Sequence, residues 1–541
     1  MTADSKRTSA EAKREIRILP TAFPWRSIQR ASASRHGMVS TQHYRATEIG
    51  IQVLAEGGTA VDAAVACAFA LGVCEPAASG LGGQTMMLVV DGRGRKFALD
   101  GSSRAPYRLV PGALAAAQLR RGHASSTVPS TPAVLAYALR EYGTWSLERV
   151  LEPVVALARE GSEVTPLQRA LTRRERRHLL RGGAAKIFLV EGRKSPPVGQ
   201  RLPQPLLAET LARLARKGVE DFYTGEMGRA IHEDMTANGG LIRADDLAQI
   251  PWPIERRPLS GRFGDARVLT MPPPGAGRTL LEMLNIIGHL QPREYDPDTP
   301  RGAAALAEII RRAFLDRRDR PFDPNFYPQV EERRMLDTEY ARRLAGQTRR
   351  RVRRGGETTH VSVMDRSGGA VALTQSIENV YGACVAHPQL GFLYNNYMNA
   401  FEHRDIAHPY YLRPGAVPWA SVAPTVVFRG RRPWLVIGSP GSERITPSIL
   451  QVMLRLREGC SLYEAVEGPR LFCSIDRRVS IEADRMDPAT LEAIARLGFE
   501  VDVRDPYSFY LGCVQAVMYD GRLFHGAADP RRDGSAGGPQ R

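Results

Sequence analysis

Two adjacent threonines, Thr358 and Thr359, stand at the head of an alternating, strand-like stretch that reads TTHVSVMD. A threonine hydroxyl is a weak nucleophile unless a base lies beside it. The residue's own α-amino group, with a reference pKa of about 7.7–8.0, can be that base, but only if the chain is cut just before the residue. The sequence therefore raises the hypothesis of a cleavage site between Glu357 and Thr358, with Thr358 as the nucleophile.

The residues that follow predict a hairpin that would bring further polar groups to Thr358. The stretches THVSVMD and AVALTQSIE flank a turn-forming tetrad, RSGG, at 366–369. In that register residue 377 lies about opposite Thr358, and Ser376 and Glu378 flank it on one face of the strand. The Ser376 hydroxyl could orient the nucleophile or relay its proton. An ordinary hairpin with polar residues on its wet face explains the same pattern.

A second stretch, WLVIGSPGSERITPS, predicts a buried strand, a glycine-rich turn and a helix with Thr446 as its cap and Pro447 as its first residue. Backbone N–H groups exposed by such a turn suit a developing oxyanion, where each donor typically contributes about 3 kcal/mol to the transition state. A strand–helix connection that needs glycine for tightness, or a phosphate cradle, would leave the same pattern.

The composition is that of a folded protein with enough apolar residues for a core. Of the 541 residues, 43% are hydrophobic and 24% are charged. No window reaches 18 uninterrupted apolar residues, so no membrane span is expected, and the charged N-terminus lacks the apolar run of a signal peptide. We expect a cytoplasmic protein whose residues 1–35 form a polar arm.

The formal charge of +16 invites a nucleic-acid hypothesis. The excess comes mostly from arginines in helical segments such as RRERRHLLR and RRAFLDRRDR, and no nucleic-acid motif accompanies them. We interpret these runs as solvated helix faces and expect neither a nucleic-acid nor a membrane partner. The six cysteines show no metal-ligand spacing, which indicates a reduced, metal-free protein, and Cys67 and Cys74 fall in an apolar helical pattern typical of a core.

The elements that would position these groups change character along the chain. TAVDAAVACAFALGV is predicted as a helix that is apolar on most faces and therefore buried, with Thr59 and Asp62 as a capping box. Residues 133–347 are predicted mainly as helices joined by Pro- and Gly-rich loops, whereas residues from 358 onward are predicted as strands and turns. The change falls at the arginine-rich run RRRVRR, residues 349–354.

The order of these segments resembles the gamma-glutamyltranspeptidase family of N-terminal-nucleophile hydrolases. The matching stretches run from about residue 36 to the C-terminus and include GIQVLAEGGTAVDAAVA, CEPAASGLGG, MPPPGAGRTLLEMLNI, TTHVSVMD, LYNNYMNAF, SVAPTVVF and GSPGSERI. The resemblance implies an α/β fold of the four-layer αββα sandwich type. It also implies a proenzyme that cuts itself before Thr358, after which a large chain (36–357, following the polar arm) and a small chain (358–541) pack as one domain and stay together as a heterodimer.

The resemblance also implies roles for residues around the nucleophile. Ser376 matches the family's second hydroxyl beside the nucleophile. Gly441 and Ser442 match its Gly-Gly oxyanion hole, in which backbone N–H groups supply the hydrogen bonds. We expect neither a cofactor nor a metal.

The family's glutamate-binding residues do not carry over to this sequence. The arginine that clamps the substrate α-carboxylate corresponds to Ser102, and Arg104 is displaced from that slot by roughly 6–7 Å along the strand. The aspartate that binds the α-amino group corresponds to Ala400 in NNYMNAF, a stretch that also supplies Tyr397 as a candidate substrate contact.

Two further substitutions fall in the same expected pocket. Glu378 replaces an asparagine and would repel a carboxylate, and Ala420 replaces the first serine of a pair, which leaves Ser421 as the candidate contact. Each lost charged hydrogen bond typically costs about 1.5–3 kcal/mol, so two or three together would weaken glutathione binding by several orders of magnitude.

We therefore predict a self-processing hydrolase that acts through a Thr358 acyl-enzyme on a small molecule other than an ordinary γ-glutamyl peptide. The candidates are a small amide, an acyl compound, or a biosynthetic intermediate in which a carbon–carbon bond is cleaved. Two alternatives stay open. One is a true glutathione hydrolase or γ-glutamyl transferase with another binding mode, and the other is an unprocessed, inactive relative that acts as a binding protein.

Overall fold

A computed structural model of the chain describes residues 28–319, 321 and 357–540. Most of the predicted polar arm lies outside these residues, as does the arginine-rich run at 349–354. The last part of the predicted arm, Ala31–Ser34, is a strand that pairs with Phe524–Ala528 at the edge of a sheet. Regular structure therefore begins before residue 36.

The strands of the described chain belong to two large sheets and two small ones. In chain order they are β1 (Ala31–Ser34), β2 (Gly37–Thr41), β3 (Gln84–Val90), β4 (Lys96–Gly101), β5 (Ser162–Glu163), β6 (Arg201–Leu202), β7 (Ile254–Arg256), β8 (Leu259–Phe263), β9 (Ala266–Thr270), β10 (Glu357–Asp365), β11 (Ala370–Glu378), β12 (Thr425–Arg429), β13 (Arg432–Gly438), β14 (Leu471–Cys473), β15 (Arg478–Ile481), β16 (Glu500–Val503), β17 (Gln515–Tyr519), β18 (Phe524–Ala528) and β19 (Ser535–Gly537).

Most of the α-helices of the described chain precede residue 320, as the sequence predicted. In chain order they are α1 (Tyr44–Ala55), α2 (Ala60–Cys74), α3 (Thr131–Tyr142), α4 (Leu147–Glu160), α5 (Pro166–Arg181), α6 (Ala185–Phe188), α7 (Pro205–Lys217), α8 (Glu220–Tyr223), α9 (Glu226–Ala237), α10 (Ala244–Ala248), α11 (Gly277–Ile287), α12 (Pro300–Asp319), α13 (Ile445–Arg457), α14 (Leu462–Glu467) and α15 (Ala489–Arg496).

Two seven-stranded antiparallel sheets form the centre of the described molecule. Their strand orders are β1-β18-β17-β13-β12-β9-β8 and β19-β2-β10-β11-β3-β4-β7. Strands β10 and β11 contact β13, so the two sheets face each other. Helices α11 to α14 share an apolar core with the first sheet, and α1 to α4 with α7 share another with the second. The predicted four-layer αββα sandwich is confirmed.

Both large sheets combine strands from either side of the proposed cut. In the second sheet β10 pairs with β2 on one side and with β11 on the other, and β11 pairs with β3. In the first sheet β9 pairs with β12, and β1 pairs with β18. The change from helices to strands along the sequence therefore does not mark a domain boundary.

Helix α2 is buried along almost its whole length and packs against β10 and β11. The Thr59 hydroxyl accepts from the backbone N–H of Asp62, and the Asp62 carboxylate accepts from the backbone N–H of Thr59, which confirms the predicted capping box. Cys67 and Cys74 are buried in this helix, as expected. The helix thus forms a rigid support behind the hairpin that carries Thr358.

The β10–β11 hairpin has the predicted turn at 366–369. The Asp365 carboxylate fixes the turn, because it accepts hydrogen bonds from the backbone N–H groups of Ser367 (2.8 Å) and Gly369 (2.9 Å). It also accepts from the N–H of Ala60 (2.7 Å), which ties the turn to the start of α2. The pairing register is regular along most of the hairpin and shifts only between Glu357 and Thr359.

Two expectations about helices were wrong in detail. Helix α13 begins at Ile445 after a single 3₁₀ turn, so Thr446 is inside the helix and Pro447 occupies its first turn, where no intrahelical N–H donor is needed. In the run RRAFLDRRDR, Arg311, Arg312 and Arg317 are buried rather than solvated. No helix within the described ranges is long and apolar enough to cross a bilayer.

Candidate active site

Thr358 is buried, with 5% of its surface exposed, at an irregularity near the start of β10. The two strand pairs that bracket it are Glu357–Glu378 and Thr359–Gln375. One residue of β10 therefore faces two residues of β11, Ser376 and Ile377, in a bulge of the kind that often re-aims a side chain next to an active site. The sequence placed residue 377 about opposite Thr358 with Ser376 and Glu378 beside it, and the observed register differs from this only by the bulge.

A buried ion pair holds the backbone around Thr358. The Thr359 hydroxyl donates to Glu75 (2.5 Å), and Arg532 donates to the same carboxylate (3.0 Å) and to the carbonyl oxygen of Thr358 (3.2 Å). Burial raises the pKa of Glu75 to about 7, against the opposing effects of Arg532 and the Thr359 hydroxyl. Neither Glu75 nor Arg532 was singled out from the sequence.

His360 is a structural residue rather than a base for Thr358. Its ring nitrogens lie 2.8 Å from the hydroxyl oxygen of Thr374 and 3.1 Å from that of Ser362, and the side chain is fully buried. Burial lowers its pKa to about 3, so the ring is neutral near physiological pH. Gly438 on β13 leaves room for this ring, because a Cβ atom there would lie 2.1 Å from the His360 Cε1 atom.

The turn after β13 presents backbone N–H groups in an unusual conformation. Gly441 and Ser442 have φ values of 121° and 55°, and a non-glycine residue such as Ser442 seldom adopts a positive φ. A Cβ atom on Gly441 would lie 3.0 Å from the Cα of Gly512, so glycine permits the close approach of that loop. Within the described part of the chain neither N–H has a hydrogen-bond acceptor, which leaves both available for an oxyanion.

A cavity of about 1810 Å³ brings together most of the predicted site residues. Those that line it are Thr358, Glu378, Tyr397, Ala400, Ser421 and Ser442. Ser376 and Gly441 are not among its described lining residues but adjoin two of them, Glu378 through a hydrogen bond and Ser442 through the peptide bond. The Ser376 hydroxyl accepts from the N–H of Glu378 (2.8 Å) and is also hydrogen-bonded to the Tyr397 side chain, whose pKa is raised by burial.

Ser102 and Arg104 are not among the described residues that line the cavity. The Ser102 hydroxyl donates to Asp100 (2.6 Å), whose other carboxylate oxygen accepts from Arg256 (2.8 Å). Arg104 pairs through its backbone with Val128. The structure therefore does not bring these two predicted substrate contacts to Thr358.

The cavity has a cation that sequence reasoning missed. Arg317, in the last turn of α12, is 8% exposed and lines the cavity. One of its nitrogens donates to the carbonyl of Ala420 (2.9 Å), and the guanidinium lies 4.8 Å from the ring centre of Trp419. Two of its nitrogens lie 3.4 Å from the Ser421 hydroxyl. Arg317 thus stands beside the segment that holds Ser421.

The hydrogen-bond partners of Arg317 among the described residues are the Ala420 carbonyl and the Ser421 hydroxyl, neither of them a carboxylate. Burial lowers its pKa to about 10, which leaves it charged near neutral pH. Glu443, which follows Ser442 and also lines the cavity, acts on Arg317 at longer range, and burial raises the pKa of this carboxyl. A buried arginine that lines a cavity can bind an anionic group of a ligand there.

The comparison with known protein families decides the identity of this arrangement. The gamma-glutamyltranspeptidase family model matches residues 46–538. The chain belongs to this family. It is 31% identical to the glutathione hydrolase proenzyme of Escherichia coli (strain K12), over 92% of this chain and 91% of that protein. It is 34% identical to the acylase ACY 1 proenzyme of Pseudomonas sp. (strain SE83), over 93% and 94% of the two chains.

Solved structures agree with this assignment to the gamma-glutamyltranspeptidase family. Cephalosporin acylase from Bacillus halodurans superposes with a TM-score of 0.87 and 26% identity, covering 96% of this chain and 99% of that one. The gamma-glutamyltranspeptidase of Helicobacter pylori superposes with a TM-score of 0.54 and 30% identity over 56% of this chain and 88% of that one. The chain is therefore a hydrolase or transferase of the N-terminal-nucleophile fold.

Proposed function

We propose that this family member is a proenzyme that cuts itself between Glu357 and Thr358 and then uses Thr358 to open an acyl bond in a small molecule other than an ordinary γ-glutamyl peptide. One observation carries the proposal. Thr358 sits at a strand bulge on the wall of a large cavity, together with Ser442, and the Gly441 and Ser442 N–H groups have no acceptor among the described residues.

The self-cleavage step needs only groups of the chain and one water molecule. The Thr358 hydroxyl attacks the Glu357 carbonyl carbon, the peptide C–N bond breaks, and the nitrogen takes up a proton to become the free α-amino group. Water then hydrolyses the resulting ester, which gives a Glu357 carboxylate and restores the Thr358 hydroxyl. Arg532 supports the geometry because it holds the Thr358 carbonyl oxygen at 3.2 Å.

Substrate turnover repeats this chemistry on an external acyl group. The free α-amine of Thr358 accepts the hydroxyl proton while the oxygen attacks the substrate carbonyl, and it returns that proton to the leaving group. The Gly441 and Ser442 N–H groups stabilise the oxyanion. Water, or an amine acceptor, then releases the acyl group from Thr358.

The positions of the charged side chains around the cavity do not match those that bind a γ-glutamyl group in this family. At the family's ammonium-binding slot stands Ala400, and the carboxylate-binding slot at Ser102 lies off the cavity wall. Arg317 instead places a cation beside Ser421. We therefore favour an acyl substrate that carries an anionic group and no ammonium in the family's position.

The first experiment compares the wild-type chain with Thr358→Ala and Thr358→Ser by denaturing gel and intact mass. The wild type should give two fragments that meet between Glu357 and Thr358, Thr358→Ser should give the same fragments more slowly, and Thr358→Ala should stay whole and inactive. An active wild-type protein that remains one chain would refute the proposal, as would turnover by Thr358→Ala.

The second experiment asks whether the substrate is a γ-glutamyl compound. The processed protein is assayed with glutathione, and with acyl anilides that do or do not carry a terminal carboxylate. We expect turnover of carboxylate-bearing acyl anilides to exceed that of glutathione by at least about a hundredfold in kcat/KM, since two charged contacts to the γ-glutamyl group are missing. Efficient glutathione turnover would favour the glutathione hydrolase alternative.

A further inference from the structure

A second cavity lies at the opposite end of the sandwich from Thr358. It encloses about 640 Å³ and is bounded by the β3–β4 and β10–β11 turns of one sheet and the β12–β13 and β17–β18 turns of the other. Thr358 and the β10–β11 turn are at opposite ends of β10, roughly 25 Å apart at about 3.3 Å per residue. The second cavity is therefore separate from the proposed active site.

Most of the charged side chains that line this cavity are positive. Six arginines line it without a side-chain hydrogen bond or ion pair to any described residue: Arg35, Arg93, Arg366, Arg431, Arg432 and Arg522. Lys96 and Arg267 also line it. The Lys96 ammonium donates to the Gly94 carbonyl (2.6 Å), and Arg267 donates to the Ser260 hydroxyl (3.0 Å), so neither is neutralised by an acid there.

The two carboxylates on the cavity wall are already engaged by their own turns. Asp91 accepts from the N–H of Arg93 (3.0 Å) and from the N–H and side chain of Arg95 (2.8 and 2.6 Å), which lower its pKa. Asp365 accepts from the N–H groups of Ser367, Gly369 and Ala60. The wall therefore carries eight cationic side chains against two carboxylates, which leaves a strong excess of positive charge.

Exposed arginines elsewhere in the described chain commonly have acidic partners. Examples are the pairs Arg45–Glu48, Arg140–Glu141 and Arg496–Glu492. Others, such as Arg173 and Arg229, lack an acidic partner among the described residues but lie on separate helices, whereas six such arginines meet in this concavity. A concave wall with an excess of one charge concentrates counter-ions more strongly than a convex surface. An anionic ligand would relieve this mutual repulsion.

The wall of the cavity is well positioned to hold such a ligand. Two of its turns are fixed by the Asp91 and Asp365 hydrogen bonds, and three aromatic residues, Phe428, Tyr519 and Phe524, also line it. The Tyr519 and Phe524 rings pack with their centres 4.6 Å apart.

We propose that this cavity binds a ligand with several phosphate groups. The arginine fork matches phosphate oxygens in a bidentate manner, and cations from four turns could contact several phosphates at once. The volume lies within the range of small-molecule sites, about 300–1,000 Å³. The phosphates could belong to a soluble polyphosphorylated metabolite or to a phosphoinositide headgroup, which have the same chemistry here.

Calorimetric titration of the full-length chain tests the proposal with inositol hexakisphosphate, ATP and inorganic phosphate at fixed ionic strength. The variant replaces one arginine on each of three turns, Arg366→Gln, Arg431→Gln and Arg522→Gln. The matched control replaces three exposed arginines away from the cavity that also lack partners in the described chain, Arg173→Gln, Arg177→Gln and Arg229→Gln. Both sets remove the same charge.

We expect saturable binding of inositol hexakisphosphate, more than about tenfold tighter than inorganic phosphate and weaker at higher salt. Affinity should fall by at least about tenfold in the cavity variant and by less than about threefold in the control. Equal losses in both variants, or equal binding of inorganic phosphate, would overturn the proposal.

Two further arms identify the source of the phosphates. In the first arm the protein is mixed with vesicles that contain phosphatidylinositol bisphosphate. If it binds them, if the cavity variant does not, and if the soluble compounds bind only weakly, the ligand is the lipid headgroup. Tight binding of a DNA duplex without binding of either small phosphates or vesicles would contradict the proposal. The Thr358→Ala protein, which should lack turnover, should bind these ligands as the wild type does. The two proposals can therefore be tested separately.

Discussion

The Thr359 hydroxyl donates a 2.5 Å hydrogen bond to Glu75, although the two residues lie 284 positions apart in the chain. Through Arg532 the same carboxylate is connected to the carbonyl oxygen of Thr358. Glu75 belongs to the segment before the proposed cut and Arg532 to the segment after it. The network therefore holds the proposed nucleophile in place from both sides of the scissile bond.

The raised pKa of Glu75 predicts a specific dependence of stability on pH. The folded chain holds the Glu75 proton up to about pH 7, whereas the unfolded chain loses it near 4.5, so this contribution is full below pH 4.5 and is lost as the pH rises through 7. Relative to Glu75→Gln, the protein with Glu75 should lose on the order of 2–3 kcal/mol of unfolding free energy between pH 4.5 and 8.

Urea denaturation of both proteins in the uncut Thr358→Ala background, repeated from pH 4.5 to 8, measures this difference. Parallel curves for the two proteins would show that Glu75 titrates normally. As a control, Glu48→Gln removes a carboxylate in an exposed ion pair and should shift the curve by less than about 1 kcal/mol at any pH.

Gly438→Ala should destabilise the fold through His360. The new Cβ would lie 2.1 Å from the imidazole Cε1 atom, and the ring cannot retreat because both of its nitrogens are within hydrogen-bonding distance of hydroxyl groups in the core. We expect a loss of about 2–3 kcal/mol in urea denaturation. Gly288→Ala, at a helix end with φ near −59° and no atom closer than 3.2 Å, should cost less than about 1 kcal/mol.

Arg317→Met should change substrate preference more than general activity. If Arg317 binds an anionic group of the substrate, kcat/KM for an acyl anilide with a terminal carboxylate should fall by about 10–100-fold, and the value for the uncharged analogue of equal length should change by less than about threefold. Arg317→Lys should retain part of the preference because it keeps the charge. Arg181→Met, an exposed arginine of the same cavity, is the control.

Equal losses on charged and uncharged substrates would mean that Arg317 only anchors the Ala420 backbone. Self-cleavage of each variant, followed on a denaturing gel, separates this effect from a failure to mature. A variant that remains uncut would point to a role of Arg317 in folding around Thr358.

Restoring the family's charges tests the interpretation of the pocket. Ala400→Asp introduces a carboxylate on the cavity wall and should raise kcat/KM for γ-glutamyl anilide by about tenfold. Ser102→Arg should raise kcat/KM by a smaller factor. The Ser102 side chain lies beside Asp100, which already binds Arg256, and not on the cavity wall. No gain from Ala400→Asp, alone or combined with Ser102→Arg, would argue against the assigned pocket.

Much of the site could be predicted because its signals are local. The RSGG turn and the alternation on either side fix the β10–β11 register, and the Thr59–Asp62 spacing fixes the start of α2. Even the Ser102–Asp100 hydrogen bond has a local signal, since an aspartate two residues before a serine commonly accepts its hydroxyl in a turn.

The residues that escaped prediction depend on contacts between distant parts of the chain. Arg317 lies in an arginine-rich helix that resembles a solvated face, and its burial is caused by packing against residues 419–421, about a hundred positions later. Glu75 and Arg532 are 457 positions apart. Propensity and periodicity carry no information about such pairings, whereas a three-dimensional arrangement reveals them at once.

Strands from both sides of the proposed cut alternate in one sheet, and this affects how the protein can refold after cleavage. A single continuous chain can find the order β19-β2-β10-β11-β3 because its ends are tethered during folding. Once severed, two separate polypeptides would have to interleave their strands again from solution. Cleavage would thus make unfolding hard to reverse. A heat-denatured mature enzyme should refold far less readily than its uncut precursor.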